Sequence, residues 1–112
     1  MEINVARSEF FTTLAPAGDL DANSSMEMDD KIQDAIDNGI YKIHVDCAEL
    51  EYISSAGLGV FISFMDELSA NKGRFVFSGM SENVRKVFQL LGLEQLMTIV
   101  DTAQEAEQEL KS

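Results

Sequence analysis

Short apolar runs alternate with segments of helical period along nearly the whole chain, and glycine closes three of the helical segments. This alternation limits the fold more than any other feature. Residues 2–6 and 10–16 have strand character around a turn near Arg7-Ser8-Glu9. Pro16 removes a ladder donor near the end of the second run, which predicts an edge or a bulge there. Ser24-Ser25-Met26-Glu27 carries serine three residues before glutamate, a capping-box signature for a helix start. Met28, Ile32, Ala35 and Ile36 then share one helical face up to a stop at Gly39. Residues 41–47 alternate, with Ile43, Val45 and Cys47 on one side and His44 and Asp46 on the other.

A second helix is expected from Ser55 to about Asn71, ending at Gly73, with an inward stripe of Leu58, Phe61, Ile62, Met65 and Leu68. Phe75-Val76-Phe77 reads as a buried strand. Ser81 begins a third helix through Val84, Val87, Phe88 and Leu91, closed by Gly92. Residues 97–100 and 102–111 supply a weaker strand and a last helix through Ala103, Ala106 and Leu110. Strands alternating with helices of this length imply βαβ crossovers. The expected fold is one α/β domain over residues 1–112, with four to five mostly parallel strands in a mixed sheet and about four helices.

Length and composition agree with one packed domain: 112 residues, 46% of them hydrophobic. A formal net charge of −12 opposes contact with nucleic-acid phosphates or anionic lipid, so neither nucleic acid nor membrane is an expected partner. It suits a basic protein partner, or serves solubility alone. A lone Cys47, the lack of an apolar run near ~20 residues, and an N-terminus without a basic stretch and apolar core point to the cytoplasm.

Functional sites of open α/β sheets gather where strands end and helices begin. The most informative such junction is Ser54-Ser55-Ala56-Gly57-Leu58-Gly59. A helix N-terminus offers unpaired N–H groups and a partial positive charge, so phosphate on Ser55 is compatible with the helix. Serine at a helix start is also an ordinary N-cap, and the glycines also suit close packing of helix on sheet. Opposite the predicted core stripe lie Ala56, Gly59 and Ser63, flanked by Val60 and Phe64. Small residues with an apolar flank form either a docking face or a plain solvated one.

Gly18-Asp19-Leu20-Asp21, Asp46-Cys47-Ala48-Glu49-Leu50 and Tyr52-Ile53-Ser54-Ser55-Ala56-Gly57-Leu58-Gly59 together resemble the signatures of the STAS domain, in particular its anti-sigma factor antagonists. The resemblance spans roughly residues 3–110. It implies a mixed sheet covered by helices mainly on one side, and partner switching as the mechanism. The unphosphorylated antagonist binds an anti-sigma factor that is also a serine kinase; phosphorylation releases it, and a metal-dependent serine phosphatase resets it. By position the phosphorylated residue falls on Ser55. Asp21 and Asp46, with Ser54 and Gly57, fall on the surrounding pocket, and either aspartate also suits ordinary turn capping. Members often carry Asp before the phosphorylated serine, where this chain has Ser54, a second candidate acceptor. An adaptor role in a sensory or transport complex, without sigma-factor control, is the alternative the same resemblance allows.

A catalytic role is not expected. The strand-serine-helix layout resembles a nucleophile elbow, but Ile53 stands where Gly-x-Ser-x-Gly requires glycine. His44, the single imidazole, lies inside a strand. There is no Walker-type phosphate loop, and one Cys with one His makes a zinc site implausible. No cofactor is expected.

Overall fold

The computed structural model describes residues 1–111. Its elements are β1 (Glu2–Arg7), β2 (Thr12–Leu20), α1 (Ala22–Asp37), β3 (Lys42–Asp46), β4 (Leu50–Ile53), α2 (Ser55–Ala70), β5 (Arg74–Ser78), α3 (Glu82–Leu90), β6 (Thr98–Val100) and α4 (Ala103–Lys111), with a short 3-10 turn at Leu93–Gln95. The sheet runs β1-β2-β3-β5-β6, antiparallel only between β1 and β2. β2 changes partner along its length. Its first three residues pair with β3 through Leu14↔Val45, and its last three pair with β4 through Leu20↔Ile53. Pro16 lies in the stretch between these pairings, and a register shift follows at Gly18/Asp19. The predicted interruption is therefore present, inside a longer strand than expected.

Six strands stand where four to five were expected, because Leu50–Ile53 forms a strand of its own. Only Leu50 and Ile53 of β4 are buried, so it shows no period-2 pattern. The start of α1 also differs. Asp21 is the N-cap and Ser24 completes its capping box, so the Ser24–Glu27 pair is not the box. β2 runs on to Leu20 and delivers Asp21 directly to the helix start.

The main core lies between the sheet and α1, α2 and α3. Phe61 of α2 meets Phe75 and Phe77 of β5 edge-on, with ring centroids 5.4 and 5.1 Å apart, and Phe77 also meets Phe88 of α3. A second, smaller core of Phe11, Val76, Ala106 and Leu110 lies on the opposite face of the sheet, under α4. His44 is also turned away from the main core. It is 2% exposed, with Nδ1 3.2 Å from the Thr13 hydroxyl and Nε2 2.7 Å from the Ser78 hydroxyl. It is a satisfied core histidine, bridging β2, β3 and β5. Among the described residues, no helix is long and apolar enough to cross a membrane.

The inward face of α2 is rotated from the predicted stripe. Gly57, Leu58, Phe61, Phe64 and Leu68 are buried, whereas Ile62 is 47% exposed and Met65 half-buried. Phe64, 7% exposed, is thus part of the core and not of an outer flank. α1 packs against α2, and Phe64 joins the main core that includes Met28, Ile32 and Ile36 of α1. Leu91, expected inward, is exposed: it is the C-cap of α3, and the chain turns away at Gly92.

Candidate functional site

The β2–β4 pairing sets two helix starts side by side. Ser54 donates its N–H to the carbonyl of Leu20 at 2.9 Å, so the residue before α2 is tied to the residue before Asp21. The positive ends of α1 and α2 share one rim of an otherwise strongly acidic protein.

Each helix start is capped by its own side chain. Asp21 Oδ1 accepts from the N–H groups of Asn23 at 3.0 Å and Ser24 at 3.1 Å, and the Ser24 hydroxyl lies 3.1 Å away. These hydrogen bonds, those of Ser24 above all, hold the Asp21 carboxyl below its usual range. Ser54 Oγ accepts the Gly57 N–H at 3.2 Å. Ser55 is the first helical residue; it is exposed, and its hydroxyl has no partner among the described residues. With Ser54 engaged as the cap, the two adjacent serines are chemically distinct: one hydroxyl holds the helix, the other faces outward. The N–H groups of Ser55 and Ala56 precede the first intrahelical bond and open onto the same rim.

Gly57 and Gly59 also separate. A Cβ on Gly57 would lie 2.9 Å from both Cγ and the carbonyl oxygen of Leu20, so this glycine lets α2 sit directly on β2. Gly57 thus faces inward, and its contribution at the rim is the N–H given to Ser54. A Cβ on Gly59 would meet nothing within 4 Å. Ala56, Gly59 and Ser63 are exposed and Val60 is half-buried; Ser63 turns its hydroxyl back to the Val60 carbonyl at 2.6 Å. The docking face expected on α2 is therefore exposed at Ala56, Gly59, Val60 and Ser63, without Phe64.

Asp46 is not brought to this rim. It follows Val45, which pairs with Leu14, whereas Ser54 follows Ile53, which pairs with Leu20. At about 3.3 Å per residue, the two levels are roughly 20 Å apart along β2. Asp46 instead accepts the Ala48 N–H at 3.1 Å and shapes the turn after β3. Ser24, expected as the helix cap, joins the rim instead as the third residue of the Asp21 box, and the Leu20 carbonyl was not singled out from the sequence. Asp21-x-x-Ser24 was a legible signal, masked by the overlapping Ser24-x-x-Glu27.

The fold and rim define a small α/β module that presents an exposed, unpartnered serine at a capped helix start, beside a face of small residues. The chain belongs to the STAS domain family, whose model matches residues 2–106. An anti-sigma-B factor antagonist of Staphylococcus epidermidis is 26% identical over 99 residues, covering 88% of this chain and 92% of that protein. The Bacillus cell fate determinant SpoIIAA, solved in its phosphorylated form, is 28% identical with a TM-score of 0.75 over 96% of this chain and 98% of its own. An anti-sigma factor antagonist from Mycobacterium paratuberculosis shares the fold, with a TM-score of 0.89 at 16% identity over 99% of this chain and 94% of its own.

Proposed function

We propose that this protein is a cytoplasmic anti-sigma factor antagonist that binds an anti-sigma factor with serine kinase activity and is released when Ser55 is phosphorylated. The observation that carries the reading is the contrast between Ser54, occupied as the α2 cap, and Ser55, exposed and unpartnered beside it. The antagonist relatives and the phosphorylated SpoIIAA neighbour support the same role.

The chemistry follows from position. Ser55 Oγ attacks the γ-phosphorus of ATP held by the kinase; the hydroxyl proton passes to a kinase base and ADP leaves. The phosphoserine carries about −1.5 to −2 charges and has open N–H groups of the same helix turn at hand, so α2 is not unravelled. Gly59 lies one turn further on, about 6 Å along the axis, so the new charge borders the docking face. A partner seated on Ala56, Gly59, Val60 and Ser63 then meets an uncompensated phosphate, and binding weakens. Hydrolysis by a serine phosphatase restores the hydroxyl and the affinity.

The test is transfer from ATP by serine kinases of the anti-sigma factor type encoded near the gene, read by intact mass. Wild type and Ser54→Ala are expected to take one phosphate, and Ser55→Ala none. Labelling lost in Ser54→Ala alone moves the site to Ser54. Neither labelling nor binding of the kinase overturns the reading in favour of an adaptor outside sigma control.

A further inference from the structure

An open groove of about 360 Å3 runs between α1 and α2, lined by Ser25, Met26, Asp29, Asp30 and Val60. It adjoins the small-residue face of α2 through Val60. One wall is apolar: Met26 is 73% exposed and Val60 is half-buried. Asp29 and Asp30 supply carboxylates, and neither has a hydrogen-bond or ion-pair partner among the described residues. Ser25 adds no free polar group, since its hydroxyl donates to the Ala22 carbonyl at 2.9 Å. The cation of the same helix, Lys31, lines a different cleft with Val5, Arg7 and Asp34. The groove thus pairs an apolar wall with negative charge that the chain leaves unneutralised.

We propose that this groove seats an arginine or lysine side chain of the protein that docks on α2. Such a side chain matches both halves at once: its aliphatic stem lies against Met26 and Val60 while its charged head reaches Asp29 and Asp30. A bare metal ion would leave the apolar wall unused, and an uncharged apolar side chain would leave the carboxylates unanswered. The inference rests on the docking reading above and carries the interface from α2 onto α1. It also gives the chain's acidity a local use, since a basic partner approaching an acidic seam is steered to it.

The experiment is calorimetric titration of the unphosphorylated protein with an anti-sigma factor kinase encoded near the gene, at low salt and at about 0.15 M salt. Asp29→Asn/Asp30→Asn is expected to bind about three- to tenfold more weakly at low salt, with a shallower salt dependence. Gly59→Leu is expected to weaken binding without changing the salt dependence. Because the two carboxylates make no hydrogen bond or ion pair among the described residues, a thermal melt of the double variant should not fall below wild type, which separates lost recognition from lost folding. Unchanged affinity and salt dependence in the double variant, with wild type binding normally, overturns the groove assignment alone. Failure of the wild type to bind overturns the docking reading and this inference with it.

Discussion

Ser54 and Ser55 differ by one position and by everything that position decides. Replacing Ser54 with alanine removes the cap on Gly57 and is expected to cost about 1 kcal/mol of stability, seen as a lowered denaturation midpoint. Ser55→Ala removes no bond within the chain and should leave the midpoint unchanged while abolishing labelling. The glycines make a similar pair. Gly59→Ala should stabilise the free protein by about 0.5–1 kcal/mol, because alanine is the better helix former and the added methyl meets open space. Gly57→Ala should destabilise it, because the methyl runs into the Leu20 carbonyl.

Two titrating groups give stability a stepped dependence on acid. Burial lowers the His44 pKa below its ordinary 6.5, against the nearby charges of Asp46 and Glu107. Above 6.5 folded and unfolded chains are both neutral there. As pH falls below 6.5 the unfolded chain takes up the proton first, and stability declines until pH has passed the folded value. Asp21 has its pKa lowered below 3.8, so its contribution is present above 3.8 and is lost as pH falls through the lower, folded value. Chemical denaturation across pH should show both declines, and His44→Gln should remove the upper one. The Cys47 thiol is pushed up to about 12, chiefly by burial, so alkylation of Cys47 should track unfolding and not the native state.

The elements most legible in the sequence were those with strong periodicity or a single clear punctuation mark. Ser81 caps α3 through the Val84 N–H, as its position predicted, and Gly39 and Gly92 take the positive φ expected of helix stops. Gly73 was a stop for a different reason. The left-handed residue after α2 is Lys72, with φ of 62°, and Gly73 is glycine because a Cβ would lie 1.9 Å from the Tyr41 carbonyl oxygen. Lys72→Gly should therefore stabilise by about 0.5–1 kcal/mol in urea titration, while Gly73→Ala should cost at least about 2 kcal/mol. What the sequence hid was set by neighbours. β4 carries little signal of its own and exists because the end of β2 is free to pair with it. The burial of Phe64 depends on what packs around α2, α1 included, which no period within α2 reports. At the rim, Ser55, Ser54 and Asp21 were visible as capping chemistry, but the distance of Asp46 from them depends on the change of partner along β2.

At the scale of the molecule, charge opposes compaction. The net charge is −12, and all four ion pairs described are solvent-exposed, a class worth little each. Added salt should therefore raise the melting temperature from its low-salt value, most steeply up to about 0.15 M, as calorimetric scans would register.

The division of the interior into two unequal parts matters for how the protein moves. α4 closes only the small cluster of Phe11, Val76, Ala106 and Leu110, and its last turn is held by Lys42 on the Leu110 carbonyl and Arg74 on the Glu109 carbonyl. Few apolar contacts and polar tethers that lie at the surface, the Arg74–Glu109 ion pair among them, make it a cooperative unit with a low opening energy of its own. Its amides should exchange with solvent well before those of β3 and β5. Because α4 lies across the sheet from α1 and α2, such openings admit water to His44 while the surface offered to a partner stays in place.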